Sequence, residues 1–150
     1  MKISKYLKDS PVFAMYETSS ALTSSLNSHL KKEEITFIQG LVLVAILLDE
    51  KNLITPGEIS KGLGISKTSL SQILSNLEAR GYLKRILRED DARSLSISLS
   101  NLGLKKANKI VKFLDSFELD LEKKINLRKE FLTDLQNFKQ YLNLVNSIKF

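Results

Sequence analysis

The chain has 150 residues, 43% of them hydrophobic, with no cysteine and one histidine, His29. That is enough apolar material for one packed domain, and it leaves no residues for a disulfide, a thiolate metal site or a thiol redox switch. The formal charge of +6 and pI near 9.5 favour polyanion partners, while the longest apolar run, 41–48, falls far short of the ~20 residues of a membrane helix.

The opening MKISKYLKDSPVF lacks the apolar core of a secretory signal, so a cytoplasmic protein is expected, with no membrane, metal or cofactor. Ser10-Pro11 reads as a helix start, because serine caps and proline suits the first turn. Val12, Met15/Tyr16, Leu22, Leu26 and Leu30 then recur at helical spacing. The serines and threonines at 18–20 and 23–25 make either a polar helix face or the lining of a cavity. His29, near the end of this helix, reads as a solvated or capping residue. Thr36 caps a second helix to about Asp49; the run Gly40–Leu48 is apolar on all sides and therefore buried, with a buried strand as the competing assignment.

Thr55-Pro56-Gly57-Glu58 is a capping box with proline at the first helical position. Ile59 and Leu63 form the short buried stripe of that helix, Gly64 ends it, and Ser66 caps the next. In the next helix Leu70, Ile73, Leu74 and Leu77 follow the i, i+3, i+4, i+7 rule and face the core. Gly81 stops it. Two short strands follow, about Tyr82–Arg88 and Ser94–Ser98, the second alternating serine with Leu or Ile to give one polar face. The Glu89–Arg93 segment between them is too charged to bury. Ser100 caps a long helix from about Asn101, with Leu104, Ala107, Val111, Leu114 and Phe117/Leu121 as its apolar positions. A last helix, about Asn126–Ile148, carries Phe131, Leu135, Phe138, Leu142 and Val145.

The stretch 55–99 is thus two helices joined by a tight glycine turn, then a charged hairpin. A helix that reads DNA needs an apolar back to dock and short polar side chains in front, so that its backbone approaches the base edges. Ser66, Lys67, Thr68, Ser69, Ser71, Gln72 and Ser75 supply that front. The helix N-terminus presents N–H groups to phosphate, and Gln72 suits bidentate pairing with adenine. On the hairpin, Lys84, Arg85 and Arg88 read as phosphate contacts. Arg93 reads as a wing-tip arginine for the minor groove, with Asp91 to hold its guanidinium. The alternative at Asp91 and Arg93 is a solvated turn with a weak local ion pair.

The run GISKTSLSQILSNLEARGYLKR, the wing DDARSLSISLS and Gly103 just inside the next helix resemble the MarR family of winged helix-turn-helix regulators. The resemblance spans nearly the whole chain, and its specific part is about fifty residues, 55–103. It implies a mainly α fold with a small β-wing: one domain over 1–150, with the winged helix-turn-helix at about 36–100 and dimerisation helices at about 10–31 and 101–148. It implies a homodimer that reads a pseudo-palindrome in double-stranded DNA, most often as a repressor, with Arg93 as the wing-tip arginine and Asp91 as its acidic partner. Ala92 and Gln72 stand where arginine is common in the family, which weighs against strong guanine readout at Gln72. The resemblance also implies a small aromatic or carboxylate ligand between the dimer helices and the reading lobe, with Phe13, Tyr16, His29 and Phe37 as the candidates. Plain core packing is the competing reading of those aromatics.

Two other function classes remain. A winged-helix module that binds protein without specific DNA binding shares the fold, but would expose apolar residues where this chain places small polar ones. An enzyme has no support: there is no nucleophile–base–acid set, hence no catalytic residue to name, and the glycines at 57, 62 and 64 do not form a phosphate loop.

Overall fold

The computed structural model describes residues 7, 9–49, 54–87, 95–125 and 129–147. In chain order these form α1 (Pro11–Leu30), a short 3-10 turn (Lys31–Glu33), α2 (Phe37–Leu47), α3 (Pro56–Leu63), α4 (Lys67–Ala79), β1 (Leu83–Leu87), β2 (Leu95–Leu99), α5 (Asn101–Ile125) and α6 (Lys129–Ser147). The fold is mainly helical with a small antiparallel wing, as the sequence leads one to expect. The run 41–47 falls on a helix, not a strand, and Leu48 just past its end is exposed, not buried as expected. The chain divides into two compact units, 1–110 and 111–150.

The helix starts follow from side-chain caps. Ser10 Oγ accepts from the Phe13 amide. Thr36 and Thr55 each form a reciprocal capping box, with Gln39 and Glu58 respectively. Ser66 accepts from the Ser69 amide at 3.0 Å. Each cap satisfies amides that the helix itself leaves unpaired. Gly64 and Gly81, with φ of +65° and +74°, end α3 and α4 in the left-handed conformation that glycine adopts without strain.

The core of the first unit gathers Leu26 and Leu30 of α1, Val42, Leu43 and Ile46 of α2, Ile59 of α3, and Leu70, Leu74 and Leu77 of α4. Ile35 of the α1–α2 connector, Tyr82 before β1, Leu83 of β1, Ile97 of β2, and Ala107 and Ile110 of α5 complete it. In α1 the expected stripe is buried only at its end: Val12, Tyr16 and Leu22 are exposed.

In α5 the buried line is Gly103, Ala107 and Ile110, and Leu104 is exposed. The reason is a backbone contact. Ser100 donates its amide to the Tyr82 carbonyl and its hydroxyl to the Gly81 carbonyl at 2.6 Å, while its Oγ accepts from the Gly103 amide. A Cβ at position 103 would overlap the Tyr82 carbonyl oxygen. This approach fixes the rotation of α5 and turns 103, 107 and 110 inward.

The wing also departs from expectation. The strands pair antiparallel from Leu83↔Leu99 to Leu87↔Leu95, one residue later at the start than the sequence suggests. Ile54 bridges Ile97 on the opposite edge of β2, so β2 has a neighbour on both sides. Its polar face is not solvated throughout: Ser96 is fully buried, and its hydroxyl has no hydrogen-bond partner among the described residues. In the second unit Phe113 and Phe117 of α5 stack at a tilt, centroids 6.1 Å apart. Phe131, Leu132, Leu135, Tyr141, Leu142 and Leu144 of α6 are exposed.

Two glycine substitutions have opposite expected signs. Gly103→Ala forces Cβ against backbone and lowers stability by about 3 kcal/mol or more, the upper range for overpacking. Gly62→Ala, inside α3 with nothing within 4 Å of the new Cβ, raises it by about 0.5–1 kcal/mol through helix propensity. Denaturant unfolding of both variants measures the two effects.

Candidate nucleic-acid interface

The helix-turn-helix is α3, the Gly64 turn and α4. Ser60 Oγ donates to the Ile65 carbonyl at 2.7 Å, and the Ile65 amide returns to the Ser60 carbonyl. The turn is therefore held by a side chain as well as by glycine. The buried Leu70, Leu74 and Leu77 dock the back of α4, and the half-buried Ile73 flanks them.

Every residue expected on the reading face of α4 is exposed: Ser66, Lys67, Thr68, Ser69, Ser71, Gln72 and Ser75. They do not all stand free. The Ser66 hydroxyl donates to Ser69 Oγ at 2.8 Å while capping the Ser69 amide, so both serines take part in building the helix N-terminus. Ser75 Oγ accepts from Arg85 Nη2 at 3.0 Å. Thr68, Ser71 and Gln72 thus form the centre of the exposed polar face, with Lys67 at its entry. Lys67, Leu70, Ser71 and Leu74 also line a shallow groove with Pro56 and Gly57 of α3 and with Arg85. The sequence reading did not place α3 beside α4 in this way; the proline and glycine that open α3 are small enough to leave the groove.

On the wing, Lys84 is exposed. Arg85 is committed to α4: its Nε pairs with Glu78 Oε2 at 2.9 Å, and its Nη2 reaches Ser75. The structure thus adds a strut between β1 and α4 to the phosphate contact expected of Arg85. The Arg85–Glu78 partnership had a sequence signal only in the opposite charges. Arg88, Asp91 and Arg93, with the loop 89–93, lie outside the described residues.

The four ligand candidates do not form one site within the chain. Phe13 and Tyr16 are neighbours, ring centroids 6.4 Å apart. Tyr16 borders an open polar stripe of α1 with Ser19, Ser20, Thr23, Ser24 and Asn27. His29 is exposed, its Nδ1 2.8 Å from the Ser25 carbonyl oxygen; thirteen residues along the helix from Tyr16, it is about 20 Å away. Phe37 begins α2, its amide held by Asn27 Oδ1 at 2.7 Å.

A second polar cluster lies at the C-terminal end of α4. Glu33 binds Lys106 and Lys109 at 2.9 and 2.5 Å. Its carboxyl lies below the ordinary glutamate range, because hydrogen bonds from Lys109 and then Lys106 favour the ionised form over the opposing cost of burial. Arg80 donates to the Glu34 carbonyl, and both Arg80 and Lys106 lie over the Tyr82 ring.

The helix-turn-helix followed by a two-stranded wing defines a winged-helix DNA-reading fold. A model of the MarR family matches residues 34–94. The chain is 30% identical over 131 residues to the HTH-type transcriptional regulator SarZ of Staphylococcus saprophyticus, an alignment covering 84% of this chain and 85% of that relative. Its fold is similar to that of Staphylococcus aureus MepR in a complex with DNA (TM-score 0.79, 21% identity, 92% of this chain and 98% of that one). It is also similar to a mutant of E. coli MarR complexed with operator DNA (TM-score 0.71, 22% identity, 86% and 90%). The chain belongs to the MarR family of DNA-binding transcription regulators.

The pH dependence of stability follows from the lowered Glu33 pKa. The contribution of its ion pairs is whole above the unfolded glutamate value of about 4.3 and disappears as pH falls through the lower folded value. Urea unfolding from neutral to acid pH is expected to show a gap between wild type and Glu33→Gln that closes only on the acid side. A gap independent of pH contradicts the ion-pair account.

Proposed function

We propose that the protein is a cytoplasmic, homodimeric repressor that reads a pseudo-palindromic operator in double-stranded DNA. The observation that carries this reading is α4 itself. Its back is buried leucine, its N-terminus is capped by serine, and its front is an exposed row of short polar and basic side chains. Thr68, Ser71 and Gln72 read base edges in the major groove. Lys67 and the α4 N-terminus hold phosphate, and Lys84 adds a backbone contact from the wing. Ser66, Ser69 and Ser75 line the same face while shaping it. Arg93 with Asp91 enters the minor groove from the wing tip, and Arg88 touches phosphate beside it.

The terminal helices, about 10–31 and 101–148, carry the dimer. Exposed Val12, Tyr16 and Leu22 on α1 and the exposed apolar row on α6 suit burial against a second copy. Two-fold symmetry then presents the two α4 helices to successive major grooves on one side of the duplex. A small aromatic or carboxylate ligand that binds beside the dimer helices releases the operator, and the adjacent Phe13 and Tyr16 are the aromatic contacts best placed for it.

Selection of bound duplexes from a random pool tests the reading. Enrichment of a palindrome with spaced half-sites supports it; binding without enrichment would leave a protein-binding module as the better account. On the selected duplex, Arg93→Ala is expected to cost about 1–3 kcal/mol, with relaxed preference at the positions it reads. Lys84→Ala is expected to weaken all sequences alike and to lower the salt slope by about one. A sequence-selective loss at Lys84 contradicts its assignment to phosphate.

A further inference from the structure

Three segments meet at the C-terminal end of α4, and polar contacts of fixed direction join them. The connector between α1 and α2 supplies Glu33 and Glu34, and the first turn of α2 supplies Gln39. The end of α4 and the turn after it supply Asn76, Arg80 and Tyr82. The first turns of α5 supply Lys106 and Lys109.

Lys106 Nζ grips the connector twice, at Glu33 Oε2 (2.9 Å) and at the Glu33 carbonyl (3.2 Å). Lys109 takes the other carboxylate oxygen. Arg80 Nη1 donates to the Glu34 carbonyl, with the Glu34 carboxylate 3.8 Å from Nη2. Gln39 works in two directions. Its Oε1 accepts from the Thr36 amide, closing the α2 cap, and its Nε2 donates to Asn76 Oδ1 on α4 at 3.2 Å. The α2 cap and the reading helix are thus joined through one side chain.

The backbone at this junction is held in an unusual shape. Glu34 has φ of 55°, and it is the one non-glycine residue with positive φ among the described residues. An L-residue keeps that conformation only when its surroundings hold it. Here its amide bonds the Lys31 carbonyl, and its own carbonyl is the Arg80 acceptor. The Glu33 and Lys106 side chains are 18% and 16% exposed, so salt screens their attraction less than that of surface charges.

Leucine packing between α4 and its neighbours is non-directional. It holds the helix down within a range of crossing angles. Hydrogen bonds and ion pairs weaken steeply when misaligned, and this cluster bonds α4 to the connector and the connector to α5.

We infer that this cluster is a brace that sets the angle of α4 against α1 and α5, and thereby the half-site spacing that the dimer accepts. The inference rests on the dimeric DNA-reading function proposed above. A small rotation at the brace changes the separation of the two reading helices, which must match the repeat of the duplex. Glu33, Arg80 and Lys106 are positioning residues that act through α4.

The test uses the full chain and duplexes with two selected half-sites. The spacer is varied by one or two base pairs, and a further duplex has a single half-site. Wild type is expected to favour its own spacing by about tenfold over shifted ones, and Glu33→Gln to lose most of that factor while holding the single half-site as wild type does. Lys109→Met, at a lysine 66% exposed, is expected to give the same flattening in smaller measure, and it decides the matter if melting shows that Glu33→Gln does not fold. Losses equal on all duplexes, or a spacing profile unchanged in the folded variants, overturn the inference. A wild-type chain that holds paired and single half-sites equally overturns the dimeric reading itself, and the inference with it.

Discussion

The approach of Gly103 to the Tyr82 carbonyl is the constraint on which the first unit depends. The turn that ends α4 has its carbonyls at Gly81 and Tyr82 taken by the Ser100 cap of α5, and no side chain fits at 103. Once α5 is seated, Ile110 meets α2 at Gly40, where an added Cβ would lie 3.0 Å from Ile110 Cδ1. Two glycines far apart in sequence therefore allow backbone to meet its neighbours closely at both ends of one helical stretch. The burial of Ala107 between them follows. Packing at this density leaves little freedom for the rotation of α5.

The division of α4 into an apolar back and a short polar front follows from that seating. The leucines hold it, Arg85 ties its second half to β1, Gln39–Asn76 ties its end to the first turn of α2, and Arg80–Glu34 ties it to the α1–α2 connector. The exposed front stays short at its centre. On the proposed reading, such a front lets the helix backbone approach base edges, where longer side chains would hold it off.

Local chemistry was legible in the sequence. The Thr36, Thr55 and Ser66 caps, the glycine stops at 64 and 81 and the leucine stripe of α4 each depend on residues within a few positions of one another, so spacing alone reveals them. The exposed face of α4 follows as the complement of that stripe. What spacing could not reveal depended on partners distant in sequence. Leu104 has the right period for the core, but the Gly103–Tyr82 contact rotates α5 by about one residue. Ser96 alternates like a solvated residue, yet it is fully buried. The contacts of Arg85 with Glu78 and Ser75 cross from strand to helix and had no local signal. Glu33 carried no local signal, because its lysines lie more than seventy residues away. The sequence also could not show how the ligand candidates lie, because Tyr16 and His29 are separated along one helix by about 20 Å.

The central claim is that the front of α4 is the surface that meets DNA. Amide hydrogen exchange of the full chain, with and without its selected duplex, tests it most directly. The account predicts added protection in 66–75 and on β1, with α6 unchanged by the duplex. Protection that falls on the terminal helices and leaves 66–75 untouched would contradict it.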